Sequence, residues 1–333
     1  MPSITVLITS AGVATACNII SALKKQKEKE VKIVAVDTNP LSAGLYLADS
    51  RYIVPRSTDP QYIPKILEIS KKECVDIIFP LHSSETMVFA KNTDKLKHAG
   101  LKLQIANPEA IDICTDKLKF HGFLQSNGFL CPKTYHPMNI LDILKNNEVN
   151  FPLFIKPKEG SSSKNSFKIE NIEQVHFFIN YIENCIIQEF IKGTEYTVDL
   201  LADENSNLVA AVPRERLEIK DGKAVKSRTV KDNVMISLCS EIIKKLGLTG
   251  PANVQMIKSG EKLYVIEINP RFAAGGLPLT TASGVNIPLL LIKMLLGENI
   301  DKMPDFQENL YMIRYLTEIF LEPDIEGVYR LSE

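Results

Sequence analysis

Short apolar runs alternate with helical stretches along this chain, and their order sets the expected architecture. Runs at Ile4 to Ile8, Val31 to Val36 and Val75 to Phe79 are separated by amphipathic segments, the pattern of a parallel sheet with crossover helices. From Lys117 to Ser126 the period becomes helical, with Thr115 or Asp116 as the N-cap and Asn127-Gly128 as the stop. A short helix over about 139–145 leads into an apolar strand, Phe151 to Pro157. A helix at Ile172 to Tyr181 and a strand at Cys185 to Ile191 come next. Turn signals at Asp203 to Asn207 and at Asp221-Gly222 divide residues 194–230 into an antiparallel meander. A helix over 232–246, closed by Gly247, precedes a hairpin of 250–257 with 261–270, and the most apolar helix is expected from Ile287 to Leu296.

The second strand of that hairpin carries the densest chemistry. Strict alternation over Tyr264 to Phe272 puts Val265, Glu267, Asn269 and Arg271 on one face, with Ile266 and Ile268 on the other. A carboxylate and an amide oxygen two residues apart are hard ligands of the kind Mg²⁺ takes alongside phosphates, and an arginine beyond them can fork onto a phosphoryl oxygen. Gln255 lies on the paired strand. Lys156 ends an apolar strand just before Gly160 to Ser166, a run of small residues that lets backbone and hydroxyl donors approach an anion, although no Walker A pattern occurs. Beyond Gln188-Glu189, Phe190 and Ile191 offer apolar faces to an adenine, and Glu195 is in reach of a ribose. Each segment also admits a plain reading, as an edge strand, a flexible loop or a bulged strand, so the weight falls on their occurring together.

Two further groups carry expectations. The first three strands end in Thr9 to Gly12, Asp37 to Pro40 and Pro80 to Glu85, which share one rim of an open sheet. Gly12 there offers an amide to an anion, and His82 and Glu85 are polar neighbours; turn and cap chemistry accounts for them equally well. Of the meander's arginines, Arg214 and Arg228 are the expected grip on an anion, Arg216 being set aside as nearer the solvated hairpin.

Composition narrows the classes. A chain of 333 residues has room for two or three subdomains around a cleft. A net charge of −1 leaves no nucleic-acid footprint, since Lys24, Lys25, Lys27 and Lys29 are interleaved with Glu28 and Glu30. Six scattered cysteines without a C-x-x-C pair point to reduced thiols in a cytoplasmic protein rather than to a disulfide framework or zinc site. No secretory signal or membrane span is expected.

Four motifs in order, an Asp-Lys heading a helix, a strand-end Lys-Pro before a small-residue loop, Gln-Glu-Phe-Ile-x-Gly-x-Glu-Tyr, and Gln-(x)11-Glu-x-Asn-Pro-Arg, resemble the ATP-grasp superfamily. Within it they are most similar to the synthetase units of the carbamoyl-phosphate synthase large subunit. The resemblance implies an α/β chain: a preATP-grasp parallel α/β domain over 1–114, then a two-lobed α+β ATP-grasp fold with a small lobe and lid loop over 115–190 and a large lobe with the metal site over 191–333. It assigns Lys117 and Lys156 to nucleotide phosphates and Ser161, Ser162 and Ser163 to the lid, which has one glycine where relatives often have several. Glu189, Phe190 and Ile191 would hold adenine and Glu195 the ribose. Gln255, Glu267 and Asn269 would hold one or two Mg²⁺ ions, with Mn²⁺ as a substitute, and Arg271 the transferred phosphoryl group. The implied activity is an ATP-dependent ligase that joins a small-molecule carboxylate to an amine through an acylphosphate, with Arg214 and Arg228 expected to grip the carboxylate and Glu85 to face the amine. The alternatives are phosphorylation of bicarbonate or carbamate and a non-catalytic ATP-binding module; a homodimer is left open.

Overall fold

In the computed structural model, residues 3–146, 148–160, 164–220, 222–300, 302–323 and 329–331 are described. The N-terminal sheet contains β1 (Ile4–Ile8), β2 (Val31–Asp37), β3 (Ser50–Ile53) and β4 (Ile77–Phe79), all parallel in the order β3-β2-β1-β4. Its central strands read as unbroken apolar runs because both faces are covered. Val6, Ile8 and Ile33 pack with the helix Ala14–Lys25, whereas Leu7, Val34 and Val36 pack with Tyr62, Ile66 and Phe89. Chain direction across the sheet reverses between β1 and β4, so the crevice of this domain opens beyond their carboxyl ends.

A second, smaller sheet is antiparallel, with β5 (Thr134–Tyr135), β6 (Leu153–Pro157), β7 (Phe167–Ile169) and β8 (Cys185–Glu189) in the order β5-β8-β6-β7. The helices Pro137–Lys145 and Ile172–Tyr181 close its apolar face around Ile140, Ile155 and Val175. The third sheet is the largest: β9 (Thr194–Ala202), β10 (Leu208–Lys220), β11 (Lys223–Thr229), β12 (Gly250–Ser259), β13 (Lys262–Asn269) and β14 (Tyr311–Ile313). Its order is β13-β12-β9-β10-β11-β14, so the meander is as the turn signals predict, and the hairpin β12–β13 joins it along β9. The amphipathic helix Asn233–Leu246, capped by Asp232 and stopped by Gly247 at φ 61°, buries Met235, Cys239 and Ile243 against one face. On the other face Leu201 and Val212 share a core with the helices Leu277–Ala282 and Ile287–Leu295 and with Ala14–Lys25 of the first domain. The rest of that second face is polar and lines a cleft. The six cysteines are unpaired, and among the described residues no helix is long and apolar enough to cross a membrane.

Alternation fails at one point in β13. Gln255 pairs with Glu267 but Met256 pairs with Val265, a bulge that leaves Ile266 without a partner. The expected phase is thereby corrected: Val265 and Ile268 enter the core, and Ile266 turns toward the cleft beside Glu267.

Candidate functional site

The cleft between the second and third sheets has a volume of about 670 Å³, within the range of small-ligand sites. Its floor follows from the register of the large sheet. Glu267, Gln255, Thr197 and Arg214 are neighbours across four strands, and Asn269, Asn253 and Asp199 form the adjacent row on the same face. Lys156 and Gln188 come from the small sheet opposite, and Lys117 from the first turn of the helix Lys117–Ser126. That helix is started by Asp116, whose carboxylate accepts from the Leu118 and Lys119 N–H groups and pairs with Lys158 at 2.8 Å. Burial opposes its ionisation, yet Lys158 and these two amides together hold the Asp116 carboxyl below its usual range. Cap and lysine therefore fix where Lys117 begins, and Lys117 Nζ donates to the Gly160 carbonyl at 3.1 Å.

Between β8 and β9 the backbone of residues 190–193 runs outside the sheet ladders along the cleft, with Phe190 and Ile191 in its lining. Gly193 allows this path, since a Cβ there would stand 2.3 Å from the Lys258 carbonyl oxygen. Glu195 follows on β9 and pairs with Arg216 at 3.0 Å.

Charges divide into neutralised pairs and unpaired cations. Arg214 is 4% exposed and donates from Nε and Nη2 to Asp199, which also accepts from Thr280. Arg214 lies flat on Gly276, where a Cβ would come within 1.8 Å of Nε. Lys117, Lys156 and Arg271, by contrast, make no ion pair among the described residues. Burial pushes the Lys156 ammonium down to about 8, with Lys117 adding to the effect and Glu267 opposing it. Burial also lowers Lys117 and Arg271, in both cases against the pull of Glu267. A buried surplus of positive charge beside a lone carboxylate is a site prepared for a polyanion and a cation together.

The candidate metal ligands are connected. Glu267 Oε1 accepts from Gln255 Nε2 at 2.7 Å and from Asn269 Nδ2 at 3.0 Å. The amide oxygens of these two residues accept from Arg216 Nη1 at 2.9 Å and Arg271 Nη2 at 3.1 Å. Each amide sits between a carboxylate that only accepts and a guanidinium that only donates, so its orientation is dictated by its neighbours. One carboxylate and two amide oxygens are the hard set Mg²⁺ accepts when phosphates complete its shell, so the residues fit that ion. Among the described residues no group of three or more His, Cys, Asp or Glu side chains could hold a metal without such help.

Several expected residues lie elsewhere. Arg228 is not in the cleft: it pairs across the ladder with Glu215, one residue out of phase with Arg214, and binds the Glu215 carboxylate and Asn309. Arg216, set aside as solvated, has a side chain only 7% exposed and lies in the cleft. The Asp221-Gly222 signal in the sequence already implied this, because Lys220 opposite Lys223 propagates to Arg214 opposite Thr229 and puts Arg228 on the other face. Glu85 does not face a substrate; it is 5% exposed and accepts from the Tyr62 hydroxyl at 2.6 Å and Thr9 Oγ1 at 2.7 Å. His82 caps the helix Ser83–Lys91, and the Gly12 amide is spent on Asp37 Oδ2 at 2.7 Å. The lid residues Ser161, Ser162 and Ser163 lie outside the described residues. Asn253 and Asp199, both in the polar rows, were missed, though β9 and β12 alternation from Glu195 and Gln255 reaches them.

Residues 114–275 match the ATP-grasp domain, and residues 6–104 match the PylC-like N-terminal domain. The chain is 26% identical over 300 residues to the carbamoyl phosphate synthase large chain of Pseudothermotoga lettingae, covering 83% of this chain and 26% of that protein. The same protein of Campylobacter jejuni is 26% identical over 309 residues, covering 85% and 28%. The chain thus spans under a third of the length of these curated relatives. N5-carboxyaminoimidazole synthetase from Staphylococcus aureus, solved with ADP, superposes with a TM-score of 0.76 at 16% identity over 94% of this chain and 82% of that one. The biotin carboxylase domain of Hydrogenobacter thermophilus 2-oxoglutarate carboxylase, solved with MgADP and bicarbonate, gives 0.72 at 16% identity over 92% and 73%.

Proposed function

The chain belongs to the ATP-grasp superfamily, and from that premise we propose that it is a magnesium- and ATP-dependent ligase that activates a small-molecule carboxylate and couples it to an amine. The observation that carries the reading is the arrangement around Glu267: a carboxylate joined to two amide-bearing ligands, ringed by Lys117, Lys156 and Arg271 without ion pairs among the described residues. A module that only binds ATP has no need of this intact set. Mg²⁺ held by Glu267, Asn269 and Gln255 with the nucleotide's phosphates would supply charge neutralisation at the reacting phosphorus, and Mn²⁺ has the same oxygen preference.

In this reading Phe190 and Ile191 flank adenine, Glu195 takes a ribose hydroxyl, and Lys117 and Lys156 hold phosphate oxygens. An oxygen of the substrate carboxylate attacks the γ-phosphorus, the bond from that phosphorus to the β-γ bridging oxygen breaks, and ADP leaves. The amine nitrogen then attacks the acyl carbon, the carbon–oxygen bond to phosphate breaks, and the amine gives up a proton as phosphate departs. Arg271 and the lysines act by position and charge rather than as nucleophiles, which suits a transfer whose demand is electrostatic. Bicarbonate is a specific second candidate for the acceptor, because the relatives by sequence are carbamoyl phosphate synthase large chains. A cytoplasmic setting accords with the six unpaired cysteines.

A screen of ADP release over pairwise mixtures of carboxylates and amines, with bicarbonate alone as one arm, tests the proposal. Magnesium-dependent ADP release that requires a carboxylate supports it; release of AMP and pyrophosphate, or no dependence on any carboxylate, sinks it.

A further inference from the structure

Arg271 is aimed by two domains. Its guanidinium makes three hydrogen bonds among the described residues: Nη2 to Asn269 Oδ1 at 3.1 Å, Nη1 to the Phe272 carbonyl at 3.2 Å, and Nε to Ser83 Oγ at 2.8 Å. The first two are local. The third crosses 188 residues of sequence to the first residue of the helix Ser83–Lys91, directly after β4. That is the side of the N-terminal sheet where strand order reverses. Ser83 is itself held from beneath. His82 Nδ1 accepts from the Ser84 N–H at 3.2 Å, and the buried Glu85 ties the same turn to Thr9, just beyond β1, and to Tyr62. The rim residues singled out by sequence thus build the start of this helix.

A guanidinium has five N–H groups, so these bonds leave one on Nη1 and one on Nη2 for the cleft that Arg271 lines. Fixing Nε fixes the plane in which those two point, and an arginine without that anchor can turn about its long side chain. We infer that Ser83 is a positioning residue that aims Arg271 at the transferred phosphoryl group, making the N-terminal domain part of the phosphoryl site. The inference rests on the reading of Arg271 as a ligand of that group.

Calorimetric titration with Mg·ADP and with the non-hydrolysable analogue Mg·AMPPNP separates the two ideas, because only the analogue carries a γ-phosphoryl group. The full chain is compared with Ser83→Ala and Ser83→Thr. The wild type is expected to prefer the analogue. Ser83→Ala should lose about five- to tenfold in analogue affinity, the worth of one weakened charge-assisted contact, with ADP affinity within about twofold. Ser83→Thr, which keeps the hydroxyl, should restore the preference. An undiminished preference in Ser83→Ala overturns the inference. An equal loss for both nucleotides does so too, since it marks a structural role. A wild type that binds both equally removes the γ-phosphoryl contact and overturns the inference while sparing the nucleotide cleft. A wild type that binds neither rejects the proposed function itself.

Discussion

Replacing Lys156 by methionine should stabilise the empty protein while weakening nucleotide binding. Lys156 is 6% exposed, and its ammonium makes no hydrogen bond or ion pair among the described residues. Burial has pushed it from 10.5 to about 8, which costs the empty fold about 3 kcal/mol at neutral pH. The sign follows from proton counts. Between about 8 and 10.5 the unfolded chain keeps a proton that the folded one has released, so this group's penalty is fully present below that window and fades as pH rises through it. Methionine has a similar length and needs no hydration. Urea unfolding without nucleotide should therefore show Lys156→Met more stable by about 3 kcal/mol at neutral pH, with roughly half of that gain left near pH 9.5. The same variant should bind Mg·ATP more weakly by about 2 to 3 kcal/mol, the loss of a charge-assisted bond to phosphate. A variant no more stable than the wild type, or a gain that does not shrink with pH, would refute the claim that a buried, unpaired ammonium waits for an anion.

Other outcomes follow from the same site. Nucleotide affinity measured by calorimetry should weaken as pH rises through about 8, by up to roughly tenfold per pH unit as Lys156 loses its proton, and Lys156→Met should flatten that slope. Glu267→Gln keeps an oxygen for both amide donors and so should keep the fold, but it should abolish turnover and weaken Mn²⁺ binding in the presence of ADP by at least about tenfold. Arg214→Ala should cost about 3 to 5 kcal/mol in chemical unfolding because it strands the buried Asp199 carboxylate, whereas Arg228→Ala, on the other face, should cost under about 1 kcal/mol.

The contrast between those two arginines shows what local pattern can and cannot carry. Strand existence and order were legible because the parallel sheet buries unbroken apolar runs and the meander is punctuated by turns. The chemistry of the stretch Glu267-Ile268-Asn269-Pro270-Arg271 was legible as a motif, but the faces of its strand were not. Period-two reasoning assumes an unbroken ladder, and the bulge at Ile266 moved Val265 into the core and Ile266 into the cleft. Arg228 was assigned by residue type, although register counted back from the hairpin turn already placed it opposite Glu215. Glu85 is expected from its residue type to face an amine, yet its spacing from His82 is that of a helix-capping pair. The bond from Arg271 to Ser83 had no local signal at all, being a contact between residues whose neighbours in sequence say nothing of each other.

In the proposed reaction a carboxylate oxygen attacks the γ-phosphorus of ATP bound over Glu267. Transfer of label reports on that step: the protein is supplied with Mg·ATP, an amine and a carboxylate bearing ¹⁸O at both oxygens, and the released phosphate is examined by mass spectrometry. Attack by the carboxylate, followed by displacement of phosphate from the acylphosphate by the amine, carries one labelled oxygen into each phosphate released. Phosphate that acquires oxygen only from solvent, or AMP and pyrophosphate in place of ADP, would contradict it.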